Sequence, residues 1–465
     1  MARKKHWKQK PTRTIELTVK NPNAAGMDIG STFHCVAVPP DRDAESVRTF
    51  GVYTPDLHEM AAWLKACGIT TVAMEATGVY WVPPYEILQE EGFKVLLVNP
   101  QFVRRMRDPK SDVDDSLLLL QLHTFGQLPA SFRPDLDISV LQTYWRQRQR
   151  LVEQSADAIK LMHKALELMN LHLHKAISDV SGVTGMRIVR AILGGERSPE
   201  VLADMKESGI KASHEELVSA LTGNYRIEHL FSLKVAVAQY DFLQEQIQGC
   251  DRVLSEFTAS LPDGPTVPTT KDSGAPGQQP TKKKSRSKAK GNQPKIFDLG
   301  MEVERLTGRD WSVVPALGPM TVMTGIAEVG LDLTRWATED HFSSWLTLAP
   351  CRKITGGRVI SSHTRRSNNR FTTALRIAAA SLWHSKSALG AELRRLRGRL
   401  GPAKAITAMA HKLAILYYRM MRYGSLYVDI GQEAYEAKHR EHTVKYIKRQ
   451  ATKLGLKVLD PAEAA

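Results

Sequence analysis

The chain has 465 residues, 42% of them hydrophobic and 24% charged; this suits two to four globular domains and excludes wholesale disorder, a collagen-like chain or a disulfide scaffold. Its 64 Lys and Arg against 49 Asp and Glu leave a formal charge of +15, which favours polyanionic partners, nucleic acid before anionic membrane. Cys35, Cys67, Cys250 and Cys351 form no CxxC pair, and no apolar stretch is long enough for a signal peptide or a bilayer span, so a soluble, cytoplasmic protein without a membrane partner is expected.

Residues 1–20 read as a basic tail. From residue 24 strands are predicted: AAGMDIG, then FHCVAV with a period of two, then RTFGVYT. Thr54 as N-cap and Pro55 open a helix through MAAWLKAC, which stops at Gly68. TTVAME and the fully apolar FKVLLV give two more strands, separated by a segment ending at Gly92, and residues near 113–123 are helical. A β-meander followed by β/α crossovers predicts a mixed sheet with helices on its faces over 21–135. Residues 136–260 contain no strand signal. They are predicted to hold two long amphipathic helices, one from about 138 and one from about 227 to 258, packed as a hairpin or coiled coil. Residues 261–296, rich in Pro, Gly, Ser, Thr and Lys, form a predicted disordered basic linker. A compact helical domain is expected over 297–425, followed by a charged tail at 426–465. The overall class is α/β plus all-α.

Four carboxylates stand out. Asp28 ends the first strand in GMDIGST, Glu75 ends the fourth in VAMEATG, and Asp112 and Asp115 share one helix face in KSDVDD at i, i+3 spacing. Asp114 competes with them by position but not by spacing. Acids from separate elements repel one another unless a cation neutralises them, and oxygen-only clusters suit Mg2+. A metal pair in such a cluster clamps a scissile phosphate. The strand order, with MDIG, MEATG, NPQ and KSDVDD in sequence, resembles the RuvC-like (RNase H fold) DEDD domain of the insertion sequence one-ten family of transposases. The resemblance implies a metal-binding tetrad of Asp28, Glu75, Asp112 and Asp115. Ser116 stands where the family usually has alanine.

The second region of interest is basic. Residues 351–400 carry twelve Lys and Arg against a single acid, Glu392. Pro315-Ala316-Leu317-Gly318-Pro319 ahead of an apolar helix reads either as a helix-hairpin-helix turn that holds a DNA phosphate on its backbone N–H groups or as a plain helix corner. Arg352, Lys353, Arg358, Arg365, Arg366 and Arg370 then surround Gly356 and Gly357. Glycine permits close backbone approach, and the cationic side chains suit phosphate contacts. PALGP, WLTLAP, TGGR and TRRSNNR match, in order, the landmarks of the same family's transposase domain. That family places a nucleophilic serine just before the Gly-Gly pair, and Thr355 occupies the position here. Either Thr355 attacks the phosphate, or Ser361 or Ser362 does, or the protein is impaired.

The resemblance therefore implies a DNA transposase/recombinase acting on donor and target DNA, with a bridge RNA as guide and a homo-oligomer (dimer or tetramer) to cut several strands together. A junction-resolvase-like, Mg2+-dependent endonuclease would use the same acids on water. A phosphotransferase, suggested by DIGST, lacks a second glycine-rich segment and leaves the basic half unexplained. A binding module without chemistry is the reading that loss of the serine leaves open.

Overall fold

A computed structural model describes residues 18–103, 112–265, 291–367, 369–425 and 427–456. Most of the predicted basic tail and the central part of the predicted linker lie outside the described residues. The chain divides into two compact units, residues 1–133 and 134–465.

The first unit is built on a five-stranded sheet of β1 (Ala24–Ile29), β2 (Phe33–Ala37), β3 (Val47–Gly51), β4 (Thr71–Glu75) and β5 (Lys94–Val98), in the order β3-β2-β1-β4-β5. β1–β2 and β2–β3 are antiparallel, whereas β1–β4 and β4–β5 are parallel. This is the mixed, RNase H-like arrangement. Each parallel step needs a crossover, and α1 (Thr54–Ala66) and α2 (Val82–Glu90) supply them. Both cover one face, where Met27, Val72 and Met74 pack with Leu57, Leu64 and Leu88. A short α3 (Pro100–Val103) follows β5, and α4 (Asp112–Thr124) covers the other face, where Ala73 and Val98 pack with Leu119 and Leu122. The strands alternate accordingly, because successive side chains point to opposite faces. One local expectation changes. α1 is capped by Tyr53 rather than Thr54, and the Asp56 carboxylate accepts the Tyr53 backbone N–H at 3.1 Å.

The second unit is mostly helical. α5 (Leu136–Leu168) runs antiparallel to a later helix of similar length, α10 (Ile227–Ser260). Between them lie four shorter helices, α6 (Leu173–Ala176), α7 (Val183–Leu193), α8 (Pro199–Asp204) and α9 (His214–Leu221). Buried residues of α5 recur at three- and four-residue steps, including Leu141, Trp145, Arg148, Leu151, Ser155, Ala158 and Met162. Arg148 meets Asp251 at 2.5 Å, Ser155 accepts from Gln244 at 2.9 Å, and Tyr144 meets Phe257, which fixes the antiparallel register. The short helices close a satellite core around Leu173, Ile188, Leu202 and Leu217. The sequence reading set no bounds for them, and α6, α8 and α9 are too short for their periodicity to be read.

The remainder comprises α11 (Leu299–Thr307), α12 (Pro319–Val329), α13 (Glu339–Trp345), a two-stranded hairpin of β6 (Lys353–Thr355) and β7 (Arg358–Ser361), then α14 (Arg370–Ser381), α15 (Ala388–Leu400), α16 (Pro402–Tyr423) and α17 (Gly431–Lys453). Tyr417 of α16 is fully buried among Trp311, Phe342 and Phe371. α12 joins this core to the long helix pair: the Trp145 indole N–H donates to Thr324 Oγ1 at 3.1 Å, and Arg146 clamps Glu328 with two bonds of 2.8 and 2.7 Å. The charged C-terminal segment is helical. α17 buries no side chain of its own, and Arg394 and Arg395 of α15 tie it down through Gln432 and Tyr435. No helix of the described residues is long and apolar enough to cross a membrane.

Candidate active site

The parallel register of β1 and β4 pairs Met27 with Met74. The next step along both strands sets Asp28 beside Glu75, on neighbouring strands about 4.8 Å apart. Alternation decides their face. Met27 and Met74 belong to the core under α1 and α2, and Ala73 belongs to the core under α4. Asp28 and Glu75 therefore both point to the α4 side. Glu75 is buried, and its Oε1 accepts from the Thr77 hydroxyl at 3.2 Å.

α4 brings in the other acids. It lies directly on β1 at Gly26: a Cβ there would stand 2.2 Å from the Leu120 backbone N and 2.3 Å from the Ser116 carbonyl oxygen. Only glycine allows that approach. One turn closer to the helix N-terminus, Ser116 meets Cys35 at 3.5 Å, and Cys35 is the residue opposite Asp28 in the β1–β2 ladder. Asp115 is buried next to Ser116, whereas Asp114 is exposed. Asp112 is the first residue of α4, and its side chain is outside the description. Ser116, the departure from the family pattern, is fully buried, and its hydroxyl donates to the Val113 carbonyl at 2.9 Å. Among the described residues, no group of three or more His, Cys, Asp and Glu side chains is arranged to hold a metal ion. The carboxylate oxygens that the acids offer on this face suit a hard divalent cation. Sequence reading missed Gly26, Cys35 and Thr77. The alternation of small residues with Asp28 in Ala24-Ala25-Gly26 is the one local sign that a helix seats there.

In the second unit, the basic segment read as a loop is an antiparallel hairpin. Thr355 pairs with Arg358, Ile354 with Val359, and Lys353 with Ser361 across an irregular step. Gly356 and Gly357 form its two-residue turn with φ of 56° and 79°. Both values lie in the left-handed region that a two-residue type I′ hairpin requires of each central residue. A Cβ at either would meet nothing within 4 Å, so backbone conformation, not crowding, asks for glycine. Alternation and cross-strand pairing place Thr355, Arg358 and Lys353 on one face and Ile354 and Val359 on the other, and Ser361 comes opposite Lys353 only through the irregular step at Ile360. Thr355 and Ser362 are exposed, and Ser361 is half-buried. The Cys351 N–H donates to the His363 carbonyl at 3.0 Å and prolongs the ladder. Of the predicted phosphate contacts, Arg365 donates to the Ser344 carbonyl at 2.8 Å and Arg370 to Gln149 Oε1 at 3.2 Å. Arg352, Lys353, Arg358 and Arg366 are exposed. The Pro315–Pro319 turn leads into α12 with Gly318 at its N-cap. Ala316 takes a φ of 74°, and Leu317 is buried.

Residues 25–171 match the family model of the IS110 DEDD domain, described as Transposase, and residues 312–393 match that of the Transposase IS116/IS110/IS902 family. No curated protein matches the chain. The first match covers the acid-bearing sheet and α4, the second covers the whole Gly-Gly hairpin, and the two stand in chain order. The chain thus belongs to the IS110 family of transposases and is a DNA transposase/recombinase.

Proposed function

We propose that this transposase cuts DNA through a covalent protein–DNA ester formed at Thr355. The Thr355 hydroxyl oxygen attacks a backbone phosphorus, the bond from phosphorus to the 3′ oxygen breaks, and the hydroxyl proton ends on that oxygen as a free 3′-OH. The phosphate is then joined to Thr355 and keeps the bond energy for rejoining. The carrying observation is that Thr355 is exposed at the tip of a hairpin with Arg358 directly opposite. A guanidinium there can hold the phosphate and offset its growing charge. Ser361, opposite Lys353, and the exposed Ser362 are the competing hydroxyls.

Asp28, Glu75, Asp112 and Asp115 are our proposed ligands for Mg2+ in the first unit. A divalent metal when bound supplies charge neutralisation at the scissile phosphate. The chain's own part is to hold Asp28 and Glu75 side by side on rigid strands, with Asp115 buried on α4, the helix that covers the same face. A bridge RNA pairing with donor and target DNA rests on the family resemblance and the excess positive charge. None of the four cysteines forms a disulfide, which fits a reducing cytoplasm.

The expected homo-oligomer has a surface of its own. α10 is apolar on both sides: Leu233, Ala236, Val237 and Leu243 are buried, whereas Ile227, Phe231, Val235 and Phe242 are exposed on the opposite side of the helix. Phe231, Val235, Ala238 and Phe242 follow the 4-3-4 spacing of a coiled-coil seam, with Lys234 and Asp241 at its flanks. Two copies laid antiparallel would set Lys234 near the other's Asp241.

The test of the function is denaturing gel electrophoresis of end-labelled DNA with the full chain, followed by peptide mapping of any adduct. Thr355→Ser should keep or raise adduct formation, Thr355→Val should eliminate it, and Ser361→Ala should matter less. An adduct mapping to Ser361 or Ser362 moves the nucleophile. Free cleaved DNA with no adduct from any variant means that water attacks and the chain is a structure-selective nuclease.

A further inference from the structure

The β6–β7 hairpin exposes apolar side chains that the chemistry above does not use. Ile354 is 59% exposed, Val359 56% and Ile360 68%. Ile354 and Val359 are cross-strand partners, so they make one apolar face. The other face carries Thr355, Arg358 and Lys353, and Ile360 sits at the irregular step that brings Ser361 opposite Lys353. A two-stranded ribbon exposed on both faces is marginal in water. β-branched residues kept there in contact with solvent argue for a partner that covers them.

The charge on the same ribbon identifies the partner as DNA rather than protein. Lys353 and Arg358 lie on the opposite face, Arg352 and Arg366 flank the ribbon, and all four are exposed. No carboxylate occurs between Cys351 and Arg370. A ribbon cationic on one face and aliphatic on the other fits between the backbone of one DNA strand and the bases of a strand pulled away from it. Aliphatic side chains pushed between base steps unstack and open a duplex, whereas tracking of relaxed single strands uses aromatic platforms. The hairpin has no aromatic residue, which favours the wedge.

We propose that the β6–β7 hairpin is a strand-separating wedge, holding a DNA backbone on its Thr355–Arg358 face and pressing Ile354 and Val359 against the bases it opens. This rests on the reading of the hairpin as the DNA-reacting segment, and it adds a physical task to that reading. Cut strands can exchange only if base pairs next to the cut are open, and the residue adjoining Thr355 would do the opening.

The test compares the full-length protein's affinity for a short matched duplex and for the same duplex with a central run of unpaired thymines. The unpaired run spares the protein the work of opening, so the wild type should bind it at least about tenfold more tightly. The double variant Ile354→Ser/Val359→Ser should lose most of that preference while its affinity for matched duplex stays within about twofold. Ile354→Leu should keep the preference. Arg358→Gln should weaken binding to both duplexes alike. Equal wild-type affinity for the two duplexes, or an unchanged preference in the double serine variant, would overturn the wedge. Loss of self-association in the double variant with the preference intact would make the apolar face a protein contact, and would also overturn it. A wild type that binds neither duplex would instead defeat the underlying assignment of the hairpin to DNA.

Discussion

Three buried charged or titratable side chains, His123 and the pair Arg148 and Asp251, show how single residues constrain this protein. His123, near the C-terminal end of α4, is buried, and its Nε2 lies 2.9 Å from Thr71 Oγ1. That hydroxyl donates to the Lys94 carbonyl, so the imidazole must donate to it from Nε2. Its Nδ1 is buried with no hydrogen-bond partner among the described residues, and a proton there would be stranded. Burial, with the Lys94 charge, pushes the His123 pKa down to about 4. The folded pKa lies below the unfolded one, so the unfolded chain binds the proton first. Stability is full above pH 6.5 and falls as pH drops from there through 4, by about 3 kcal/mol from this residue. Urea titrations across that range should show the loss, and His123→Gln, which keeps a donor to Thr71, should flatten it. A wild-type profile independent of pH between 7 and 4 would sink the argument. In the second unit, Arg148 and Asp251 are 2% exposed and form an ion pair that also anchors the Lys295 backbone N–H at 3.3 Å. Arg148→Met alone should cost about 3–5 kcal/mol, because the Asp251 charge is then buried without its partner. Arg148→Met with Asp251→Leu should recover most of the melting temperature. Equal losses in the single and double variants would contradict this.

Secondary-structure elements show which parts of the design are local and which are not. Strands β1 to β5 were legible because each is a short apolar or alternating run closed by Gly, Pro or a turn. Asp28 and Glu75 were legible as strand-end acids, but their adjacency is not in either segment. It comes from a parallel register between strands 47 residues apart in sequence. The i, i+3 spacing singled out Asp112 and Asp115, but what seats their helix on the sheet is Gly26 on another element. The Gly-Gly segment read as a loop because its strands are short and exposed, so neither face carries a burial pattern. The seat of α4 yields a sharp prediction. Gly26→Ala should push α4 away from β1, since the added carbon meets backbone rather than a movable side chain. DNA cleavage should drop by at least about a hundredfold, as small displacements of a positioned group do, while affinity for DNA changes little. Full cleavage by Gly26→Ala would show that α4 need not sit on the sheet. The outer face of α10 gives another. Phe231→Ser/Phe242→Ser should shift the protein to a smaller species in light scattering without lowering its melting temperature, and an unchanged mass would remove α10 as an interface.

Across the whole molecule, charge is divided as unevenly as the chemistry. Residues 1–133 hold sixteen Lys and Arg against fifteen Asp and Glu, so fourteen of the fifteen excess positive charges belong to residues 134–465. The unit with the acidic sheet is thus almost neutral, and the unit with the Gly-Gly hairpin is a polycation. A cluster of carboxylates repels phosphate unless a cation intervenes, whereas exposed arginines attract it at every ionic strength below full screening. Affinity for DNA should therefore come from the second unit, and dependence on divalent metal from the first. Each phosphate contact contributes about −0.9 to the slope of log affinity against log salt for duplex DNA. Arg352→Gln and Arg366→Gln, at exposed positions beside the hairpin, should each make that slope shallower by about 0.9 and weaken binding alike on unrelated sequences. Arg365→Gln should change it less, because Arg365 already donates to the Ser344 carbonyl. Asp28→Asn should leave the slope in place and remove metal-dependent cleavage. Filter-binding titrations of the four variants at several salt concentrations separate these effects. If Asp28→Asn flattens the slope as much as Arg352→Gln does, the first unit carries backbone contacts of its own and the division of labour drawn from the charges is wrong.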